Sequence, residues 1–348
     1  MATIGLVVNP VAGKDIRRLV AWGMVSGNRE KVNILIRFLR GFLGVTEGSF
    51  RIVYMPDPYD LVEVALRETA FPGRLSFEEA PTPSFGDASD TLRFTEWAVE
   101  EAKVSVLVTL GGDGTNRIVA KKSGDVPLFA LSCGTNNVFA ETLEPTLAGM
   151  ALGFFLEGRV AQGEVLRRCK VLRCFSETRE DIALVDIVLV TKSILGTRAV
   201  WEPESVRFVA VTQSSPVNIG LSAVIGRILP ISPEEKQGAC AWIGEGGRPV
   251  LAPLAPGLVQ RVGVTDFRIL TVGESVRMPE GPGAIALDGE REILVRPGEK
   301  WWVRLEDQGP VRANMVRILE LSQERSGWCG ERGYYAEAWS HHGRRGHQ

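Results

Sequence analysis

Histidine is nearly absent from this chain. Its 348 residues include three histidines, and all three lie within the last eight positions: His341, His342 and His347. A Ser-His-Asp or Cys-His mechanism uses histidine as its base, so here the base would have to come from the end of the chain. The sequence therefore argues against histidine-based nucleophilic catalysis.

Cysteine is sparse and shows no pairing pattern. The five cysteines form no Cys-x-x-Cys pair, and their positions are Cys133, Cys169, Cys174, Cys240 and Cys329. An odd number without such pairs argues against a disulfide framework and against a structural zinc site. Scattered thiols suit a reducing compartment, so we expect a cytoplasmic protein.

The chain also lacks an excess of basic residues and a long apolar run. Its formal net charge is −2 at pH 7, whereas nucleic-acid-binding domains are usually basic. No run approaches the ~18 apolar residues of a membrane helix. The apolar run at 3–8 has no basic residue before it, so it indicates a first strand rather than a signal peptide. We expect neither a nucleic-acid partner nor a membrane.

Residues 1–150 alternate between short apolar runs and segments of helical spacing. The apolar runs predict strands at 3–8, 50–55, 104–110 and 126–131. The helical spacing predicts helices at 31–43, 61–68, 91–102, 116–122 and from residue 138. The segment 72–89, rich in Pro, Ser, Gly and acidic residues, is predicted to be a surface loop. This alternation is typical of a parallel α/β sheet, which binds ligands at the carboxyl ends of its strands.

The second half of the chain has a different pattern. Residues 151–310 contain many short strand-like runs separated by Gly and Pro, which predicts a β-rich domain. Residues 311–322 are expected to pack back onto the first domain, and 323–348 to form a poorly ordered tail. The predicted fold class is thus α/β, with an N-terminal parallel-sheet nucleotide-binding domain and a C-terminal β-rich sandwich domain.

A glycine-rich loop directly after the run at 104–110 is the strongest functional signal. Its residues are Gly111, Gly112, Asp113, Gly114 and Thr115. Glycines permit positive φ and let backbone N–H groups approach a phosphate, and a following helix adds positive partial charge. Asp113 would then bind Mg²⁺ or remove a proton from the attacking hydroxyl. The alternative is a strand-to-helix turn in which Asp113 is a cap.

This loop matches neither of the two common nucleotide signatures. A P-loop needs Ser or Thr after Gly-Lys, but Asp15 follows Gly13-Lys14. A dinucleotide fingerprint that begins at Gly112 would need Gly or Ala at the position of Arg117. The loop therefore indicates another kind of phosphate site.

Two further polar loops follow predicted strands of the same sheet. Asn9 ends the first strand, where the alternative is an ordinary turn. Thr135, Asn136 and Asn137 follow the strand at 126–131. Side-chain amides can pair with an adenine edge or with ribose hydroxyls, although this loop could equally be a helix cap.

A third candidate lies in the second half, at Asp288-Gly289-Glu290 between two strand-like runs. Asp-Gly is a strong hairpin signal, so one interpretation is purely structural. The other is that the two carboxylates hold a metal or act as a base. The sequence leaves both interpretations open.

These loops, in this order, resemble the landmarks of the NAD-kinase and diacylglycerol-kinase superfamily. The matching motifs are NPVAG at 9–13, GGDGT at 111–115, GTNN at 134–137 and DGE at 288–290. Within the superfamily, the stretches 132–149 and 193–226 resemble the ATP-NAD kinase proteins of the acetoin-catabolism X type. The resemblance implies an α/β ATP-binding domain, a β-sandwich domain that contributes to the cleft, and a homo-oligomer.

The resemblance also implies roles for the loop residues. Asp113 and Glu290 would be catalytic, and the nucleotide would be bound by Asn9, Gly111, Gly112, Gly114, Thr115, Thr135, Asn136, Asn137 and Asp288. The implied cofactors are ATP and Mg²⁺. The metal would be held mainly through substrate phosphates, with Asp113 as the candidate protein contact.

The leading hypothesis is transfer of the ATP γ-phosphoryl group to the 2′-hydroxyl of the adenosine ribose of NAD. Characterised NAD kinases carry an Asn-Glu pair and a GSTAYxxSAGG-like segment, which this sequence lacks, whereas DGE resembles the lipid kinases. One alternative is therefore a kinase for a diacylglycerol-like, sphingoid or small-polyol hydroxyl. The other is a catalytically silent regulator that binds nucleotide.

Overall fold

The computed structural model describes residues 1–12, 27–71, 73–134, 137–191 and 203–325. The elements of the first half alternate between strand and helix. They are β1 (Thr3–Val8), α1 (Asn28–Val45), β2 (Phe50–Tyr54), α2 (Leu61–Glu68), β3 (Leu75–Glu79), α3 (Ala88–Glu100), β4 (Val106–Gly111), α4 (Asp113–Ala120), β5 (Leu128–Ser132), α5 (Pro145–Leu156) and α6 (Gln162–Val165).

The second half consists mostly of strands. They are β6 (Leu166–Arg168), β7 (Val171–Phe175), β8 (Glu180–Ala183), β9 (Asp186–Val190), β10 (Val206–Val211), β11 (Gln237–Ala255), β12 (Leu258–Thr271), β13 (Ser275–Arg277), β14 (Gly283–Leu287), β15 (Glu290–Val295), β16 (Trp302–Glu306) and β17 (Val311–Ala313). Two helices accompany these strands, α7 (Ser222–Gly226) and α8 (Met315–Arg325).

The first sheet has the order β3-β2-β1-β4-β5-β17-β6. Strands β1 to β5 pair in parallel, β17 adds to β5 in parallel, and β6 closes the edge antiparallel to β17. Every residue of β4 is buried, because helices cover both faces of the sheet, and such strands appear as continuous apolar runs.

The two faces of this sheet have different neighbours. Leu6 of β1 lies in a core cluster with residues of α1, α5 and α8. The adjacent Val7 points to the opposite face, as strand periodicity requires, and lies in a cluster with Phe94 of α3 and Leu184 from the second half. The second half therefore shares its core with the face of the sheet that also carries α3 and α4.

The second half folds into two antiparallel sheets. One has the order β12-β11-β10-β9-β14-β15 and the other β13-β16-β7-β8. Phe208 and Ile285 of the larger sheet and Leu172 and Val303 of the smaller one belong to one buried cluster, as expected for sheets packed face to face. The predicted fold class, a parallel-sheet domain followed by a β-rich one, is confirmed.

Two predictions for the first half are wrong. The predicted surface loop 72–89 contains β3, which pairs in parallel with β2. Only one of its five residues, Leu75, is buried, so this edge strand has little of the apolar pattern of a central strand. The helix predicted from residue 138 is also absent, and the next helix, α5, begins at Pro145.

The end of the described chain returns to the first sheet. Strand β17 pairs with β5 and β6, and α8 contacts α5. Helix α8 continues to Arg325, past the predicted start of the tail at 323, and residues 326–348 lie outside the described part of the chain. No helix within the described ranges is long and apolar enough to cross a membrane.

Close contact between α1 and α5 gives a test of the packing. A Cβ atom on Gly149 of α5 would overlap the carbonyl oxygen of Phe38 in α1. We expect Gly149→Ala to lower the free energy of unfolding by about 1–3 kcal/mol, because the helices must separate. The matched control is Gly44→Ala in α1, where no atom lies within 4 Å of the added methyl. This control should be neutral or stabilising by up to about 1 kcal/mol.

Urea denaturation measures both variants, and the transition midpoints report the difference at constant slope. If Gly149→Ala were as stable as Gly44→Ala, the described contact between the two helices would be wrong.

Candidate functional site

Three loops meet at the carboxyl edge of the parallel sheet. Asn9, after β1, donates from Nδ2 to Oγ1 of Thr115 at 2.7 Å, and its Oδ1 accepts from the N–H of Val11 at 2.9 Å. Asn137, after β5, accepts the N–H of Asp113 on Oδ1 at 3.2 Å. The amide side chains of both flanking loops therefore fix the glycine-rich loop that lies between them.

Both oxygens of the Asp113 carboxylate accept hydrogen bonds from backbone N–H groups. Oδ2 accepts from Val138 at 2.8 Å, and Oδ1 accepts from Phe139 and Ala140, both at 3.0 Å. The side chain is buried, which raises the pKa of Asp113, whereas the three N–H bonds favour the charged form. Because Asp113 holds these N–H groups, residues 138–140 do not begin the helix predicted there.

The hydrogen bonds of Asp113 argue against the role of general base that the sequence predicted for it. A general base needs an oxygen that faces the proton it removes, and both Asp113 oxygens already accept hydrogen bonds. Asp113 does act as a cap, one of the two alternatives open from the sequence, but it caps the segment after β5 rather than the first turn of its own helix.

The glycines of this loop are required for different reasons. A Cβ atom on Gly111 would lie 2.7 Å from Cβ of Thr115, and one on Gly112 would lie 3.0 Å from Oδ1 of Asn137. Neither is in the positive-φ region, and nor is Gly114, so the expected positive-φ turn is wrong. Close packing explains the first two glycines.

Gly114 has no such packing reason. It lies in α4, and a Cβ atom there would meet its nearest neighbour, Oε1 of Glu290, at 3.6 Å, an ordinary contact. Glycine in a helix costs about 1 kcal/mol relative to alanine. The described chain also supplies no acceptor for the N–H groups of Gly114 and Thr115, as is usual for a helix first turn. The first turn of α4 thus carries two N–H donors without an acceptor among the described residues, and the Glu290 carboxylate lies within ordinary contact distance of Gly114.

The hairpin between β14 and β15 brings Glu290 to this surface. Asp288 has φ of 50° and Gly289 has φ of 84°, the two positive values of a type I′ turn, for which Asp-Gly is well suited. The hairpin interpretation of this motif is therefore correct. It also places the Glu290 carboxylate beside Gly114, so two motifs 176 positions apart share one site.

Asp288 holds the hairpin in place. Its side chain is completely buried. Its two oxygens accept three consecutive backbone N–H groups, from Leu184 at 3.0 Å, Val185 at 2.7 Å and Asp186 at 3.2 Å. Burial raises the pKa of Asp288, whereas Arg117 and the N–H of Leu184 favour its charged form. Asp288 therefore fixes the hairpin to residues 184–186. Its buried oxygens do not face a nucleotide.

Sequence reasoning missed Arg117, which appeared there only as a mismatch to a fingerprint. It lies on α4, is 2% exposed and reaches carboxylates of the second half. Its sequence signal is weak, because a lone arginine on a short helix usually faces water.

Most of the remaining predicted site residues lie at the carboxyl edge of the parallel sheet. Thr135 and Asn136 lie outside the described residues. Asn9, Asn137, Thr115 and the three glycines line the sheet edge, as the contacts above show. In the described parts of the chain, no group of three or more His, Cys, Asp or Glu side chains is arranged to hold a metal ion.

Comparison with known proteins gives the family. Residues 170–308 match the family model of the acetoin catabolism protein X C-terminal domain. Acetoin catabolism protein X of Cupriavidus necator is 34% identical over 317 residues, which cover 87% of this chain and 88% of that protein. The chain belongs to the acetoin catabolism protein X family. The resemblance to the acetoin-catabolism X type, inferred from residues 132–149 and 193–226, is confirmed.

Solved structures show which fold this member of the acetoin catabolism protein X family has. Yeast NADH kinase, solved in complex with NADH, aligns with a TM-score of 0.53 and 13% identity, over 94% of this chain and 88% of that one. An NAD kinase from Archaeoglobus fulgidus in complex with ATP overlaps less well, at a TM-score of 0.39 and 14% identity over 79% and 98%. The fold assignment therefore depends on the yeast structure.

Removal of the Asp113 charge tests its structural role. Asparagine has one oxygen, so in Asp113→Asn part of the N–H set from residues 138–140 would face an amide NH₂ group. We expect the free energy of unfolding to fall by about 1–3 kcal/mol. The matched control is Asp125→Asn, because Asp125 is 89% exposed and pairs only with Arg168 among the described residues. It should change stability by less than about 0.5 kcal/mol.

Urea unfolding at pH 7 compares the two variants with the parent protein. An Asp113→Asn protein of parental stability would show that the carboxylate is not needed to hold this segment.

Proposed function

We propose that this protein is an ATP-dependent kinase that phosphorylates a hydroxyl group, with the 2′-hydroxyl of the adenosine ribose of NAD as the leading acceptor. The observation that carries the proposal is the juxtaposition at Gly114. There a helix N-terminus, whose N–H groups at Gly114 and Thr115 have no acceptor among the described residues, lies beside a carboxylate from the second half, Glu290.

The phosphates of ATP would be bound at the first turn of α4. The N–H groups of Gly114 and Thr115 point out of the helix, and the helix adds positive partial charge at this end. Glycine at 114 lets a phosphate oxygen come close to the backbone. Asn9 and Asn137 would keep the loop in shape, since their amides already bond to Thr115 and Asp113.

Glu290 is the candidate base in this arrangement. The acceptor oxygen would attack the γ-phosphorus while the bond from that phosphorus to the bridging oxygen of ADP breaks. Glu290 would take the proton that the acceptor hydroxyl loses, and ADP would leave. Bound Mg²⁺ would supply positive charge that offsets the charge developing on the transferred phosphoryl group. Asp113 would contribute by holding residues 138–140 in place.

Two classes of acceptor are supported by different observations. NAD is supported by the fold shared with yeast NADH kinase, which was solved with NADH. A different hydroxyl, on a lipid-like or polyol acceptor, is supported by the role of Glu290, since DGE at 288–290 resembles the lipid kinases. The proximity of Glu290 to Gly114 favours this second candidate enough to include it in the test.

A panel of acceptors incubated with γ-labelled ATP and Mg²⁺ tests the proposal. Label recovered in NADP would support the leading acceptor, and label in a diacylglycerol, sphingoid base or polyol would support the second. Glu290→Gln should lower kcat by about 10²–10⁴-fold on the accepted substrate, because the base is lost. ATP binding without transfer to any acceptor would contradict the kinase proposal and indicate a nucleotide-binding regulator.

Gly114→Ala separates binding from stability. The added methyl has room in the described chain and should stabilise the helix by up to about 1 kcal/mol. It would nonetheless occupy the space of the phosphate, so we expect ATP affinity to fall by tenfold or more. The matched control is Gly124→Ala, just beyond α4, where no atom lies within 4 Å but φ is positive. Gly124→Ala should lower the free energy of unfolding, because alanine rarely adopts a positive φ, and it should leave ATP affinity unchanged.

Titration calorimetry with ATP and urea unfolding provide the two readouts. Unchanged ATP affinity in Gly114→Ala would remove the first turn of α4 from the binding site.

A further inference from the structure

We propose that Arg117 is a positioning residue that fixes the β14–β15 hairpin, and with it Glu290, over the first turn of α4. This inference rests on the proposed function, because it assigns to Glu290 the role given above. It concerns a residue with no part in the four motifs, and the contacts of its guanidinium carry it.

One guanidinium from the first half meets three carboxylates from the second half. Nη2 of Arg117 lies 2.9 Å from Oε1 of Glu292, Nη1 lies 3.4 Å from Oδ2 of Asp181, and Nε lies 3.9 Å from Oδ2 of Asp288. Glu292 is in β15 and Asp288 is in the turn before it, so two of the three partners flank Glu290 in sequence.

Burial makes these contacts energetically important. Arg117 is 2% exposed and the Asp288 side chain is fully buried, so neither charge can be compensated by water. Asp181 has a second cation, Nζ of Lys121 at 2.6 Å, but Asp288 has only Arg117 as an ion-pair partner among the described residues. Loss of Arg117 would leave the Asp288 carboxylate buried without an opposite charge.

The position of Arg117 along α4 links the hairpin to the proposed phosphate site. Arg117 follows Gly114 by three residues, which is less than one helical turn or about 4.5 Å of rise. The same turn of helix therefore presents N–H groups to the phosphate at one end and the guanidinium to the hairpin at the other. Glu290 is thus held relative to the phosphate site through a short rigid path.

Lysine cannot reproduce this arrangement. A guanidinium presents five donors in a planar fork, whereas an ammonium is a compact point charge. In Arg117→Lys the positive charge is kept, but one nitrogen cannot serve Glu292, Asp181 and Asp288 together. The substitution therefore loosens the hairpin without leaving an uncompensated charge in the core.

The kinetic test uses Arg117→Lys, with Lys121→Met as the matched control. Lys121→Met removes the other cation of the cluster but no contact to the hairpin. We expect Arg117→Lys to lower kcat tenfold or more, with KM for ATP within about threefold, and Lys121→Met to change kcat less than threefold. In the double variant with Glu290→Gln, Arg117→Lys should add less than a threefold loss, because both changes remove the same contribution. Additive losses, or an unchanged kcat in Arg117→Lys, would overturn the inference.

A second measurement does not depend on turnover. In the nucleotide-free protein, Arg117→Lys should speed hydrogen exchange at the amides of 184–186 and 287–290 about tenfold, and Lys121→Met should not. Glu292→Gln, which removes the negative charge of the 2.9 Å partner of Arg117, should speed exchange at 287–290 as well. Unchanged exchange in both Arg117→Lys and Glu292→Gln would overturn the positioning role. Faster exchange in a protein that transfers phosphate to no acceptor would support this role and contradict the kinase proposal instead.

Discussion

Two buried carboxylates, each accepting three consecutive backbone N–H groups, hold the loops on either side of the candidate site. Asp113 holds residues 138–140 in the first half, and Asp288 holds residues 184–186 in the second. A carboxylate removed from water requires such donors, since an unpaired buried charge is very costly. A buried carboxylate that accepts three backbone N–H groups therefore orders one loop on each side of the candidate site.

This constraint divides the acidic residues of the site into two kinds. Asp113 and Asp288 each accept three backbone N–H groups, whereas the Glu290 carboxylate lies beside Gly114 in the first turn of α4. The DGE motif thus combines a carboxylate that accepts N–H groups of residues 184–186 with one that lies beside Gly114, separated by the glycine of the turn. Arg117, from the first half, pairs with carboxylates of the second half, including Asp288. The proposed position of Glu290 depends on these contacts.

The sequence predicted best the elements whose surroundings are uniform. Strands β1 and β4 are buried on both faces, so their continuous apolar runs were sufficient to predict them as strands. Edge strand β3 was missed, because Leu75 alone is buried there and the segment is rich in turn-forming residues. The helix expected from residue 138 fails because Asp113, 25 positions earlier, takes the N–H groups involved, which no local pattern reveals.

For the site, the sequence predicted which loops assemble but not which residues face the ligand. Motif resemblance made both Asp113 and Glu290 candidate bases. Only the structure shows that the Asp113 oxygens accept three backbone N–H groups. Arg117 had only a weak sequence signal, since its partners Asp181, Asp288 and Glu292 lie 64 or more positions away.

A crystal structure with a non-hydrolysable ATP analogue and Mg²⁺ tests the central claim most directly. The account predicts phosphate oxygens about 3 Å from the N–H groups of Gly114 and Thr115, with the Glu290 carboxylate facing the terminal phosphate and Asp113 still bonded to residues 138–140. An analogue whose phosphates lie away from the first turn of α4, or one bound through the Asp113 carboxylate after release of that segment, would contradict it.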